Sequence, residues 1–160
     1  MRMFSAVLAA ALAVPAGAAA QEGFQLDGGF TIFTDTDTFG ITGRGSYVIP
    51  LDSPFYIAPE VEGSIGLFGQ EDGLETDRTI AGFARGGFEL TDNLDLHARL
   101  GYQSVRVSVE SGPFEVSASN GDFAWGLGGT YWVKPRFGIR ADYTRSDGFD
   151  QLGFTAAWRF

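Results

Sequence analysis

From Phe24 onward, apolar residues recur at every second position in runs of about ten residues, with polar residues between them. The apolar phase runs from Phe24 to Ile32, Phe39 to Ile49, Phe55 to Leu67, and Ile80 to Leu90. It resumes from Leu94 to Tyr102, Phe123 to Val133, Phe137 to Tyr143 and, in the closing stretch LGFTAAWRF, from Leu152 to Phe160. A period of two predicts strands with one apolar face, and helical spacing is absent after residue 20. The length of each run suits a strand that crosses a bilayer at a tilt. The connections alternate. PLDSP (50–54), TDN (91–93) and KP (134–135) read as tight turns, while TDTDT (34–38), GQEDGLETD (69–77), a segment near 108–121 and SDGF (146–149) read as loops, two of them long.

The opposite phase carries the charge. Asp27, Glu60, Glu62, Glu89, Asp95 and Asp142 fall on it, with Arg44, Arg85, Arg99, Arg136, Arg140 and Arg159. His97 lies on the same phase, between Asp95 and Arg99. A soluble barrel or sandwich would put its apolar phase inside. Here the apolar phase is continuous and the charged phase is balanced, so the expected arrangement is inverted: lipid outside, paired charges within. Pairing is required there because burying a lone ion costs several kcal/mol. Outward-phase aromatics gather at the tight-turn end: Phe24, Tyr47, Phe55, Phe88, Tyr131, Phe137, Trp158 and Phe160. That is the position of an interfacial girdle.

The N-terminus supplies the route to a membrane. Arg2 precedes an apolar run over 3–14, and Ala18 and Ala20 give a small-x-small cleavage pattern. Residues 1–20 therefore read as a cleavable signal peptide and 21–160 as the barrel. The apolar run is too short to span as a helix. Composition then narrows the options. Eleven Lys and Arg stand against 20 Asp and Glu, which argues against nucleic acid. The absence of Cys removes disulfides and thiolate metal sites.

The ensemble resembles the small outer-membrane β-barrels of the OmpA, OmpX and opacity-protein type, over residues 21–160. It predicts an all-β fold, an eight-stranded antiparallel up-and-down transmembrane barrel preceded by a signal peptide, with both ends of the barrel on the tight-turn side. The resemblance implies an outer-membrane location in a Gram-negative bacterium. It also implies that the last strand, through Leu152, Phe154, Ala156, Trp158 and Phe160, is read by the outer-membrane insertion machinery. The partners expected are membrane lipid and lipopolysaccharide, and the chain is expected to be a monomer without cofactor or metal.

Other chemistry is less well supported by pattern. A lone His97 is not a triad, so a place in the interior network is favoured over catalysis. GRGS (43–46) and GLGG (126–129) lack the following helix of a phosphate loop, and their glycines are expected to relieve crowding inside a narrow barrel. The acidic loops at 35–38 and 71–77 do not fit a calcium loop and read as solvated. Arg78, Arg106 and Arg145 sit on the outward phase near the loop ends of their strands, where guanidinium groups would meet lipopolysaccharide phosphates. The expected function is structural or interactive, with a filled lumen and no wide pore. A narrow gated ion conductor, a lipid A-modifying enzyme and a secreted soluble barrel are the alternatives.

Overall fold

The computed structural model describes residues 22–35, 37–52, 54–68, 74–111 and 114–160. The segment 1–20, expected to be a signal peptide, lies outside them, as do residues 71–73 of the second acidic loop. Eight antiparallel strands close into one barrel in chain order: β1 (Gly23–Phe33), β2 (Thr38–Pro50), β3 (Phe55–Phe68), β4 (Leu74–Thr91), β5 (Leu94–Ser111), β6 (Phe114–Lys134), β7 (Phe137–Ser146) and β8 (Phe149–Arg159). No helix occurs among the described residues. Closure is made by β1 against β8, from Gln25 opposite Arg159 to Phe33 opposite Gln151, and Phe160 N donates to Phe24 O at 2.9 Å.

The register fixes the shape. Followed from strand to strand, the pairing leads from Gly23 to Val48, Ala58, Arg85, Arg99, Gly126, Thr144 and Gln151, and returns to β1 at Phe33, ten residues along. Eight strands with that stagger tilt about 40–45° from the axis, so each residue climbs about 2.4 Å. Neighbouring partners then rise about 3 Å per strand around the wall.

The phases separate as the alternation requires. Phe24, Val61 and Ile80 are more than 60% exposed on the outer wall. Arg85, Arg99 and Arg140 are at most 1% exposed inside it. A wall of exposed aliphatic and aromatic side chains around a charged interior is stable only in lipid. Cross-strand aromatic pairs form at the short-turn end: Phe24 with Tyr47, Phe55 with Phe88, and Phe137 with Trp158.

Four local expectations change. Arg136 is exposed, in the two-residue turn between Lys134 and Phe137, and does not enter the lumen. The even spacing to Arg140 continues through the turn, but β7 begins only at Phe137, so the position has no facing wall. Leu90 is buried although it shares the outward phase, because the ladder shifts between Glu89 and Thr91 and turns it inward. In the segment 108–121, residues 108–111 and 114–121 are strand and not loop, since β5 and β6 pair up to Ser111 opposite Phe114. Its small polar residues have the composition of a loop, yet Val105, Val107, Val109 and Val116, Ala118 keep the period of two. The second long loop likewise shortens, as β4 begins at Leu74. At the β7–β8 connection Asp147 and Gly148 form a two-residue turn, and Gly148 has φ +86°, a conformation that glycine adopts without a Cβ clash.

Candidate functional site: the charged lumen

Three layers fill the lumen. The middle layer is an ion-pair belt of four arginines and four carboxylates, all buried: Arg44, Arg85, Arg99, Arg140 with Asp27, Glu60, Glu62, Asp142. Alternation on six of the strands projects them inward, and the register sets them at similar heights. Arg140 on β7 is the hub. Its Nη1 lies 2.8 Å from Asp27 Oδ2 and 2.7 Å from Glu60 Oε2, and its Nε lies 2.9 Å from Asp142 Oδ2. Arg44 bridges Glu62 at 2.8 Å and Asp142 at 2.7 Å. Arg99 reaches Glu60 at 2.9 Å, donates to Glu62 and Thr144, and lies 4.4 Å above the Phe83 ring. Arg85 reaches Glu60 at 3.2 Å and donates to Gln25 at 3.1 Å. Glu60, Glu62 and Asp142 are each shared between arginines, and Asp27 pairs with Arg140 and accepts from Gln25, so every belt carboxylate is neutralised as exclusion from water requires.

The lower layer closes the short-turn end. Asp95 accepts hydrogen bonds from Trp132 Nε1 at 2.8 Å and Tyr56 Oη at 3.1 Å. Arg159 reaches Asp95 at 3.4 Å and lies near Glu89 at 4.0 Å, with its guanidinium 3.6 Å from the Trp132 ring. Leu90 and Val48 add apolar bulk at this level. The upper layer is uncharged. Gln151 donates to Glu62 at 2.9 Å, Gln103 to Gln151 at 3.3 Å, and Ser64 to Thr42 at 2.9 Å.

His97 joins the lower and middle layers. Its Nε2 is 2.7 Å from Asp142 Oδ1 and its Nδ1 is 3.5 Å from Asp95 Oδ1. Its partners at the two ring nitrogens are thus carboxylates, Asp142 and Asp95. On the facing strand stands Gly128, whose added Cβ would come within 2.7 Å of His97 Nε2 and 2.6 Å of Ala141 O. The expected crowding holds there, inside the barrel. It does not hold at Gly43 or Gly45, which face outward with no contact to an added Cβ closer than 3.7 Å. Among the described residues no cluster of three potential metal ligands forms.

Of the residues expected in the lumen, Asp27, Arg44, Glu60, Glu62, Arg85, Glu89, Asp95, His97, Arg99, Arg140, Asp142 and Arg159 line it, and Arg136 does not. Tyr56, Trp132, Gln25, Gln103 and Gln151 belong to the same interior. Their parity marks them, Tyr56 between Phe55 and Ile57 and Trp132 between Tyr131 and Val133, though charge does not. On the outer wall, Phe154, Trp158 and Phe160 are exposed, and Leu152 and Ala156 partly so. Arg78 and Arg145 are exposed, and Arg78 and Arg106 are direct partners in the β4–β5 ladder. Arg145 has its Nε 3.6 Å from Asp150 Oδ1.

An apolar outer wall, a closed ladder and an ion-paired interior define a small transmembrane β-barrel of the outer-membrane class. The sequence matches the family described as outer membrane protein beta-barrel domain over residues 4–160, and the chain belongs to that family. No curated protein matches it in sequence. Solved structures share the fold. The crystal structure of Ail, the attachment invasion locus protein of Yersinia pestis, is similar at TM-score 0.65 and 18% identity, covering 88% of this chain and 100% of that one. The N-terminal β-barrel domain of Pseudomonas aeruginosa OprF gives 0.67 at 12% identity, covering 88% and 98%. Neisserial surface protein A gives 0.55 at 14% identity, covering 90% and 100%.

Proposed function

We propose that this protein is a structural and interaction barrel of the Gram-negative outer membrane, exported by its N-terminal segment and closed to diffusion. The supporting observation is the belt. Arg140 links side chains of β1, β3 and β7 across the lumen, so the interior is crossed by bonds. An eight-stranded barrel has room only for its own side chains. In planar bilayers the protein should show no stepwise single-channel conductance at neutral pH and moderate voltage. Reproducible unitary steps from purified folded protein would favour the gated-conductor reading instead.

The interactive half of the reading rests on strand length. β5 and β6 have 18 and 21 residues, against 10 and 11 in β7 and β8. The extra residues raise a hairpin beyond the wall at the loop end. β7 joins β6 only from Ser146 opposite Ala124, so residues 114–121 pair with β5 and have no strand on their other side. A partner protein strand adding to that edge is the contact it suits.

The C-terminal strand supplies the assembly signal in this reading. Phe160 is 71% exposed and its amide closes the seam to Phe24. Phe160→Asp should cut the folded, membrane-inserted yield at least fivefold, whereas the same change in loop 69–73 leaves it near wild type. Equal inserted amounts, measured by heat-modifiable gel mobility of outer-membrane fractions, would count against the signal. The outward arginines complete the proposal. Arg78 and Arg106 stand together about 25–30 Å above the short-turn girdle, just past an apolar band about 25 Å tall, where lipopolysaccharide phosphates would lie. Arg145 sits lower and already faces Asp150, so it contributes less to such a cluster.

A further inference from the structure

The outer wall carries a cavity of about 550 Å³ low on β3, β4 and β5, bounded by Leu51, Phe55, Ile57, Phe88 and Leu96 over a floor at Gly86. An added Cβ at Gly86 meets nothing within 4 Å. The floor continues upward along β4. Ala84 and Gly82 are exposed on the same phase, and a Cβ at Gly82 would also meet nothing. Gly82 lies in a second cavity of about 560 Å³ with Leu26, Pro59 and Val61. The ladder supplies the sides of the groove. Ile57, Pro59 and Val61 stand opposite Gly86, Ala84 and Gly82 on β3, and Ala98, Leu100 and Tyr102 stand opposite them on β5. Ile80, 64% exposed, ends it at the top.

The groove has the length of one leaflet. From Phe88 in the short-turn girdle to Gly82 the strand climbs about 14 Å, at about 2.4 Å per residue. Half of an apolar band about 25 Å tall is about 12–13 Å. The groove therefore runs from the short-turn interface to just past the midplane, and a chain descending from the opposite leaflet would meet Ile80 first. Its foot is acidic. Leu51 borders the lower cavity and is followed by Asp52 in the β2–β3 turn, and Asp92 stands in the β4–β5 turn. Both residues are exposed, and neither is in an ion pair among the described residues. The two turns are two strand spacings apart, about 10 Å, and the groove opens between them. The bases of this rim, Lys134 and Arg136, lie in the next turn round, between β6 and β7. Two carboxylates at the foot repel an anionic headgroup and favour a cation that can donate hydrogen bonds. An ethanolamine ammonium has three N–H donors, and a choline has none.

We infer that the groove over Gly82, Ala84 and Gly86 holds one acyl chain of a phosphatidylethanolamine of the periplasmic leaflet, with its ammonium at the Asp52 and Asp92 turns. The site rests on the reading that the short-turn end faces the periplasm, and it adds to that reading one defined lipid on one side of the barrel. The strands tilt about 40–45°, so the bound chain leans along β4 and does not stand along the bilayer normal. Valine at Gly82 and Gly86 would fill the floor without touching the two turns.

The test compares wild type, Gly82→Val/Gly86→Val and Asp52→Asn/Asp92→Asn, each reconstituted with phosphatidylethanolamine, phosphatidylcholine or phosphatidylglycerol of the same acyl chains. Retained lipid is counted by native mass spectrometry after release into detergent. Wild type should retain one phosphatidylethanolamine. The glycine variant should retain at least fivefold less, while its heat-modifiable mobility matches wild type. The aspartate variant should still retain lipid but lose the preference for ethanolamine over choline and glycerol. Wild-type retention by a folded glycine variant overturns the groove. An aspartate variant with unchanged preference overturns the headgroup assignment. Phosphatidylcholine or phosphatidylglycerol retained by wild type as strongly as phosphatidylethanolamine overturns the choice of lipid. If the valine pair reduces the folded yield, Gly82→Ala/Gly86→Ala, whose methyl groups meet open space, gives the same decision. Retention in detergent is independent of orientation in the cell, so its failure is distinct from failure of the periplasmic reading. That reading is overturned if an impermeant maleimide labels Pro135→Cys, the one thiol in a chain without cysteine, on intact cells.

Discussion

Arg140→Gln lowers the unfolding free energy of the barrel by about 3–5 kcal/mol, the usual cost of removing one partner from a buried ion pair. Arg140 is fully buried and contacts Asp27, Glu60 and Asp142. Without it the belt holds four carboxylates against three guanidinium groups. Glu60 keeps Arg85 and Arg99, and Asp142 keeps Arg44, but Asp27 retains only the amide of Gln25 at 2.8 Å. The glutamine can donate to one carboxylate and cannot neutralise any. The control is Arg145→Gln, on an exposed pair 3.6 Å from Asp150, which should change stability by at most about 1 kcal/mol. Urea unfolding of both variants in lipid bilayers, followed by tryptophan fluorescence, measures the difference. A change below about 1 kcal/mol for Arg140→Gln would mean that water replaces the guanidinium and that the lumen is wet.

Gly101→Val should be at least as damaging, and by a different route. Gly101 faces inward on β5, and a Cβ there would lie 2.0 Å from Gly82 O and 2.8 Å from Phe83 Cα. Both are backbone atoms of the neighbouring strand, so no rotamer change relieves the contact. The β4–β5 ladder would have to separate at Phe83 opposite Gly101, inside hydrocarbon, where unpaired amides have no solvent. Overpacking commonly costs 1–3 kcal/mol, and contact with backbone puts this site at about 3 kcal/mol or more. The folded fraction on refolding into bilayers should fall sharply. Gly63→Val is the matched substitution: the same residue change, in a strand of the same barrel, into open space. Equal folded fractions for the two would show that the strands shift apart at little cost.

The period of two made the strands, their faces and the charged interior legible, because alternation is imposed residue by residue. Arg44, Arg85, Arg99 and Arg140 could be placed inside by parity alone. Their partners could not. Arg140 meets Asp27 through a closure that joins residues 113 positions apart, and that meeting depends on every turn length between them. Parity also misled where the ladder changes step. Arg136 keeps the inward count but falls in the turn, and Leu90 keeps the outward count but follows a bulge. The β5–β6 extension was hidden by composition, since Ser, Glu and Asn describe a loop as readily as a solvated strand. In the sequence the glycines form one class. Space distinguishes them, with Gly101 and Gly128 pressed against neighbours and Gly43 and Gly63 against none.

The ring has one joint that the chain does not bridge. β1 and β8 meet with no covalent connection between them, over the span from Gln25 to Phe33. β5 and β6 pair from Leu94 to Ser111 and are tied by a hairpin as well. Below the β5–β6 extension the closed ladder has no edge from which to peel, so the first step of opening the barrel is a rupture, and the β1–β8 joint is where it takes the fewest bonds. All of those bonds except the ends lie in hydrocarbon, where a half-open joint finds no water. The protein's persistence is then governed by how often that joint parts, so it is a lifetime more than an equilibrium. A covalent clasp across the joint would lengthen the lifetime of the folded barrel far more than the same clasp between β5 and β6.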